Sequence, residues 1–217
     1  MKHPTRDPSS LVIGYLTLRK AIGLLGTSLP FVLSLGAFLL FNTGIQASMS
    51  SYYHTGRRDV FVGTLCAIGV FMLSYRGYER QDDVADDLAC VFAVGVALFP
   101  TTLREDLTTL DTIGALHLVF AALLFLTLAY FSLFLFTKTD PTKTPTRRKR
   151  QRNQVYRTCG YTLVASIALI LLLTFLPLEI KQALSPYHPV YWLESLAVVG
   201  FGISWLTKGE AMLGDKT

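Results

Sequence analysis

The sequence predicts an all-α membrane protein that crosses the bilayer several times, and three observations lead to this fold class. Hydrophobic residues make up 51% of the 217 positions and charged residues only 16%, whereas soluble domains carry roughly 25% charged residues. The mean hydropathy is +0.43. The apolar residues are gathered into long blocks without the period-2 alternation of a membrane barrel, so helices are expected.

Six apolar blocks are long enough to cross a hydrocarbon core of about 30 Å at about 1.5 Å per helical residue. The predicted spans are 21 to 43, 59 to 77, 84 to 101, 112 to 137, 157 to 178 and 190 to 207. Pro30 lies inside the first span and can kink it, while Pro100 and Pro177 fall where helices should end. The transmembrane domain therefore covers residues 21 to 207.

The first twenty residues are predicted to form a separate cytoplasmic and interfacial segment. The stretch SSLVIGYLTLRK is too short to span and lacks the small-residue cleavage site of a signal peptide. Its apolar side chains would lie in the headgroup layer, with Arg19 and Lys20 facing phosphates. Residues 208 to 217 are predicted to be a cytoplasmic tail.

The distribution of lysine and arginine predicts the orientation of the chain. With both termini inside, 16 of the 20 basic residues lie in cytoplasmic segments. The run TKTPTRRKRQR, within the loop 138 to 157, contributes most to this asymmetry. We therefore expect a multi-pass protein of the cell's inner (plasma) membrane, with both termini in the cytoplasm.

The same basic loop accounts for the net charge of +5. Basic residues beside a span are attracted to anionic headgroups by about 1 kcal/mol each, so the expected partner of the loop is the bilayer surface. No aromatic residues alternate with these charges, which argues against nucleic acid. Three cysteines without a C-x-x-C pair predict no disulfide framework, and the motifs of soluble enzymes are absent.

Potential metal ligands and acids are concentrated in the predicted outer segments. His54, His117 and His188 come from three different outer segments at nearly the same depth. Three imidazoles and a water form the usual shell of a catalytic zinc ion, so these histidines are candidate metal ligands. Alternatively they are scattered interfacial residues, which the apolar and wet sides of an interface favour. Further outer acids are Glu105, Asp106 and Asp111.

Three more outer residues are candidate catalytic groups. Glu194 lies about one turn inside the last span, where an unpaired carboxylate costs on the order of 2–3 kcal/mol; it is either functional or paired with Arg57 or Arg58. Ser50 precedes His54 by four residues, which would place both on one face if the second helix began early. Ser50 would then donate to an oxyanion, and Asp59 or Glu194 would act as acid or base.

On the predicted cytoplasmic side, four aspartates surround the start of the third span. Asp82 and Asp86, and Asp83 and Asp87, are spaced i to i+4 and would repel one another unless cations match them. The cluster is either a solvated helix N-terminus, favoured by the helix dipole, or a cation site.

Long segments of the chain resemble a family of bacterial multipass proteins of uncharacterised function. The resemblance covers most of residues 45 to 208 and is carried by RDVFVGTLCAIGVFMLSYRGYER, HLVFAALLFLTLAYFSLFLFTKT and FGISWLTKG. More distantly, Ser50, His54 and Asp59 resemble the Ser-x-x-x-His and following Asp of the CREST superfamily. That superfamily contains intramembrane zinc hydrolases, including alkaline ceramidases and adiponectin receptors. It has seven helices and a His-x-x-x-His pair in the last one, whereas this chain has only His188, with Glu194 six residues on.

Two function classes follow from these observations. The first is a zinc-dependent hydrolase of a lipid amide or ester that enters from the outer leaflet. The second is a non-enzymatic membrane protein, either a carrier of lipid or ions that uses Glu194 or a scaffold for a membrane partner. Metal content separates them, because only the hydrolase needs bound zinc.

Overall fold

The computed structural model is all-helical over the residues it describes, which are 8–75, 77, 79–102, 111–139, 142 and 144–214, with side chains from Gly14 onward. No β-strand occurs in this part of the chain. Seven α-helices follow in order: α1 (Pro8–Phe41), α2 (Arg58–Ser74), α3 (Arg80–Leu98), α4 (Thr112–Tyr130), α5 (Arg147–Thr174), α6 (Leu178–Leu184) and α7 (Pro189–Lys208). A 3₁₀ helix (Ser50–His54) precedes α2, a π-helical turn (Phe131–Leu135) prolongs α4, and a 3₁₀ turn (Ser185–Tyr187) precedes α7.

The N-terminal helix differs from the expected arrangement. The sequence predicted an interfacial segment before residue 21 and a separate span after it, but α1 continues through both as one helix of 34 residues. Pro30 does not interrupt it. The carbonyl of Pro30 accepts a hydrogen bond from the Tyr191 hydroxyl at 2.9 Å, which ties α1 to α7 at this point.

Six of the helices form a closed ring, in the order α1, α2, α3, α4, α5 and α7, with α7 packing back against α1. The short helix α6 lies in the connection between α5 and α7. We call one end of the ring the histidine end, because it carries His54, His117 and His188. The other, the basic end, contains Arg19, Lys138 and Lys208.

Four of these helices are long and apolar enough to cross a membrane: Gly14–Phe41, Thr112–Leu135, Arg147–Thr174 and Pro189–Lys208. The described residues contain no further helix of that length and composition. Helix α2 has only 17 residues, and α3 carries Asp82, Asp83, Asp86 and Asp87 in its first turns. Both nevertheless complete the ring between α1 and α4.

The ends of α3 and α5 agree with the sequence prediction, whereas the start of α5 differs from it. Pro100 and Pro177 lie just beyond the ends of α3 and α5, as predicted. Helix α5, however, begins at Arg147, ten residues before the predicted span. Thr146 caps it by accepting a hydrogen bond from the Lys149 amide at 3.1 Å. Much of the basic loop is therefore the first three turns of a helix.

The half of the ring near the basic end is closely packed. Gly23 of α1 and Gly202 of α7 face each other, and a β-carbon on Gly202 would collide with the backbone of Thr27 and Gly23. Four aromatic rings surround the indole of Trp205 at centroid distances of 5.2 to 6.1 Å. The two glycines thus bring the backbones of α1 and α7 into contact in this half.

Candidate functional site

Two of the predicted metal ligands bind backbone carbonyls in the same short segment after α3. His54, which is exposed, has its Nε2 atom 2.7 Å from the carbonyl oxygen of Thr101. His117 is only 2% exposed, and its Nδ1 atom lies 2.7 Å from the carbonyl oxygen of Phe99. Because a carbonyl can only accept, these ring nitrogens must be the donors. Both histidines therefore hold the end of α3 against neighbouring helices.

The third predicted ligand, His188, precedes α7. Its backbone is left-handed, with φ of 49° and ψ of 50°. The Nδ1 atom of His188 is buried without a hydrogen-bond partner in the described structure. Over the same part of the chain, no three side chains of His, Cys, Asp or Glu lie close enough together to hold a metal ion. The three histidines thus share an end of the ring but not a coordination site.

Ser50 and His54 do not share a helix face. Residues 50 to 54 form a 3₁₀ helix rather than the start of α2, and side chains align at i and i+3 in such a helix, not at i and i+4. Ser50 is consequently buried while His54 is exposed. Asp59 is exposed in the first turn of α2, where its charge favours the helix N-terminus.

Of the remaining predicted outer acids, Glu105, Asp106 and Asp111, the structure describes Asp111. Asp111 caps α4, accepting a hydrogen bond from the Gly114 amide at 2.8 Å. The side chain of Thr102 donates to the same carboxylate at 3.3 Å. Glu105 and Asp106 lie outside the described residues. Asp111 is therefore a structural residue at the start of α4.

Glu194 does not form the ion pair with Arg57 or Arg58 that was one of its two predicted roles. Its Oε2 atom accepts a hydrogen bond from the backbone amide of Met49 at 2.6 Å. Arg57 instead donates to the carbonyl of Val32 at 2.8 Å, and Arg58 donates to the Tyr53 hydroxyl at 2.7 Å. No ion pair of Glu194 occurs among the residues that the structure describes. The carboxylate thus connects α7 to the residue that precedes the 3₁₀ helix.

A cavity lies inside the ring, directly beside this carboxylate. The space free of protein atoms is about 610 Å³, its open mouth included, and the centre of a water molecule could occupy about 50 Å³ of it. Apart from Ser50 and Glu194, the lining is apolar and comes from α1, α2, α3, α4 and α7 and from Met49, which precedes the 3₁₀ helix. The apolar lining consists of Leu29, Met49, Phe61, Leu65, Ile68, Ala93, Val96, Ala121, Leu124, Phe125, Leu128, Val198 and Phe201.

The cavity extends along the helices away from the histidine end. On α7 its lining runs from Glu194 to Phe201, and on α4 from Ala121 to Leu128, which is about 10 Å in each case at about 1.5 Å per residue. Sequence reasoning identified Glu194 and Ser50 but none of the apolar lining residues. Apolar positions in a span look alike in sequence, whether they face a neighbouring helix, lipid or a cavity.

At the basic end the charged residues pair with one another. Lys138 lies 2.9 Å from both Glu79 and Asp82, and its hydrogen bond to Glu79 raises the pKa of Lys138 above the usual lysine value. Glu79 and Asp82 also form a capping box at the start of α3. Asp82 thus has the cationic partner that the sequence predicted for this cluster, namely Lys138. Asp86 is completely buried in the same region.

Arg19 joins three helices at this end. Its guanidinium donates to the Tyr75 hydroxyl at 2.9 Å and to the carbonyl of Lys208 at 3.3 Å. It also lies over the ring of Tyr75, 5.1 Å from the centroid. Arg19 is 9% exposed, so it is part of the closely packed half and does not face lipid phosphates as predicted.

Comparisons with known proteins identify no relative: no family model, curated protein or solved structure matches this chain. The cavity and the carboxylate beside it are therefore the main structural clues to function.

Proposed function

We propose that this protein is a non-enzymatic membrane protein that binds one hydrocarbon chain of an amphiphile in the cavity, with the head group at Glu194 and Ser50. The observation that carries this proposal is the composition of the lining, which is apolar over about 10 Å and has polar residues at one end only. An amphiphile has the same arrangement of apolar and polar parts.

The shape of the cavity supports a slender ligand. The cavity extends for about 10 Å along α4 and α7. Only about 50 Å³ of it is open to the centre of a water molecule, so the space is narrow rather than round. A single alkyl chain fits such a space better than a ring system.

The charge and the hydrogen-bond acceptors of Glu194 indicate which class of head group the cavity binds. An ionised carboxylate accepts hydrogen bonds but cannot donate them, and Glu194 already accepts one from Met49. Its remaining acceptor capacity suits an amine or a hydroxyl. A carboxylate in an apolar environment is unfavourable unless it is paired, and a cationic amine would supply the missing charge.

Ligand-dependent stability tests this proposal. A long-chain amine, alcohol and fatty acid of equal chain length are added to the purified protein, and thermal unfolding is followed in detergent. Binding to the native state raises its stability, so the amine should raise the unfolding temperature most and the fatty acid least. Equal shifts for all three would contradict the assignment of the head group.

Two variants of α2 locate the binding. Ile68 is buried and lines the cavity, whereas Val70, two residues on, is 53% exposed. Ile68→Phe should fill part of the cavity and remove the stabilisation by amine, while Val70→Phe should retain it. Retention in both variants would show that the amine binds elsewhere.

The zinc hydrolase has less support from the geometry. His54 and His117 each use one ring nitrogen on a carbonyl, an arrangement that metal-binding histidines also adopt. The described side chains, however, include no set of three that fits a zinc ion. Zinc analysis of protein purified without chelators tests this view, and close to one equivalent of zinc would favour the hydrolase instead.

For the orientation, we propose six spans with both termini in the cytoplasm of a cell whose plasma membrane contains the protein. The distribution of basic residues supports this arrangement, because Arg19, Lys138 and Lys208 all lie at one end of the ring. Reporter fusions at Gln46 and Ala183 should then be extracytoplasmic, and fusions at Thr144 and after Gly214 cytoplasmic. The opposite pattern would place Glu194 on the cytoplasmic side.

A further inference from the structure

The cavity has one partly open side. Most of its lining residues are buried, and the four that retain exposed surface are Ala121 and Phe125 of α4 and Glu194 and Val198 of α7. Each pair is spaced i to i+4 and therefore lies along one face of its helix. The opening is thus a vertical slot with α4 on one side and α7 on the other.

The course of α5 explains why this slot exists. Helices α4 and α7 barely contact each other, and α5 lies between them in the ring. Near the basic end α5 packs closely: Gly200 of α7 approaches the backbone of Cys159, and Gly160 lies against Leu133. The last buried residue of α5 is Ser166. Beyond it, the residues of α5 are half-buried or exposed, so α5 covers the space between α4 and α7 less completely.

The outer surface of this region is suited to contact with lipid. Leu169, Leu171 and Leu172 of α5 are 47%, 57% and 58% exposed, and Leu118 and Val119 of α4 are 44% and 54% exposed. Helices α4, α5 and α7 are all candidate spans. In a membrane that these helices span, the slot would face the hydrocarbon core.

We propose that the slot between Ala121, Phe125, Glu194 and Val198 is a lateral entrance through which a chain of a bilayer lipid enters the cavity. This inference rests on the proposed amphiphile binding and adds the source of the ligand, which is the membrane leaflet at the histidine end. Glu194 is five residues from the start of α7, about 8 Å along the helix axis. A lipid of that leaflet can thus place its head group at Glu194 while its chain turns sideways into the ring.

Photo-crosslinking in a bilayer tests the entrance. The protein is reconstituted into phosphatidylcholine vesicles that contain a long-chain amine with a diazirine in the middle of its chain. After irradiation, adducts are mapped by mass spectrometry. The wild-type protein should carry adducts on Leu65 and Ile68, which are buried in the cavity wall and do not face lipid.

Two adjacent alanines of α4 provide the matched variants. Ala121 lines the mouth of the cavity, whereas Ala122 is exposed on the outer surface. Ala121→Trp should abolish the adducts on Leu65 and Ile68, and Ala122→Trp should leave them unchanged. If Ala121→Trp does not fold, Val198→Trp and its exposed control Leu196→Trp test the opposite side of the slot.

The outcomes separate the entrance from the binding itself. Adducts in the cavity of wild-type protein and of both mouth variants would overturn the lateral entrance but leave amphiphile binding intact. Adducts that are confined to outward-facing residues in the wild type would overturn amphiphile binding, and the entrance with it. The lateral entrance is supported if a mouth variant, Ala121→Trp or Val198→Trp, loses the cavity adducts. Both control variants, Ala122→Trp and Leu196→Trp, should retain adducts on Leu65 and Ile68.

Discussion

The two ends of this helical ring hold their polar residues differently, and the ion pairs of Lys138 with Glu79 and Asp82 lie at the basic end. At the basic end, charged side chains contact one another or neighbouring aromatic rings, as Arg19 does with Tyr75 and Lys138 with Asp82. At the histidine end, His54 and His117 bind backbone carbonyls. There Glu194 combines one backbone hydrogen bond with a position beside an apolar cavity.

The two halves also differ in how closely their helices pack. Glycines bring α1 and α7 into backbone contact near the basic end, whereas α4 and α7 leave a slot near the histidine end. The comparison indicates that polar residues alone do not mark a functional site in this protein. The more informative feature is a polar residue beside space that the chain itself leaves empty.

Two glycines, one in each half, should give the largest difference in stability. A β-carbon on Gly202 would meet the backbone of α1, whereas one on Gly63 meets no atom within 4 Å. Gly202→Ala should therefore lower the free energy of unfolding by about 3 kcal/mol, at the upper end of overpacking costs. Gly63→Ala should stabilise by up to about 1 kcal/mol through helix propensity. Thermal unfolding in detergent measures both, and equal effects would show that Gly202 is not closely packed against α1.

Removing the guanidinium of Arg19 should have the next largest effect. Arg19→Met retains the length of the side chain but loses two hydrogen bonds from a charged group, which we expect to cost about 2 kcal/mol. Lys20→Met is the control, since Lys20 forms no hydrogen bond or ion pair in the described structure. The comparison of the two halves would be weakened if Arg19→Met unfolded at the same temperature as Lys20→Met.

A smaller effect is expected where α7 is tied to α1 near the cavity. Tyr191 is 2% exposed and donates its hydroxyl hydrogen to Pro30, whereas Tyr187 is 71% exposed. Tyr191→Phe should destabilise the protein by about 1 kcal/mol, the usual net contribution of one hydrogen bond. Tyr187→Phe should change nothing measurable by the same unfolding assay, and a loss of equal size there would contradict this explanation.

The general architecture was accessible from sequence because span length and apolar composition are local properties. Four helices that could cross a membrane, and the ends of α3 and α5 near Pro100 and Pro177, follow from them. The continuity of α1 and the early start of α5 were not predicted. Both depend on packing at the basic end, where Arg19 and the Lys149 side chain, which donates to the carbonyl of Phe136 at 3.0 Å, are held by other helices.

The candidate site was predictable only in its polar part. Glu194 attracted attention because a carboxylate in a span is costly, and Ser50 did so through its spacing from His54. That spacing assumed an α-helix where the chain forms a 3₁₀ helix, and the partners of His54 and His117 are backbone atoms that no side-chain motif can indicate. The slot between α4 and α7 arises from the course of a third helix, α5, and has no local signature.

The central claim, that Glu194 binds the head group of an amphiphile, is tested most directly by Glu194→Gln. The amide oxygen can still accept the hydrogen bond from Met49, so the variant without ligand should unfold within about 1 kcal/mol of the wild type. The long-chain amine should raise the unfolding temperature of the wild type but scarcely that of Glu194→Gln, because the variant lacks the negative charge. A variant that is markedly unstable alone, yet gains the full stabilisation from the amine, would contradict the claim and make Glu194 a structural residue.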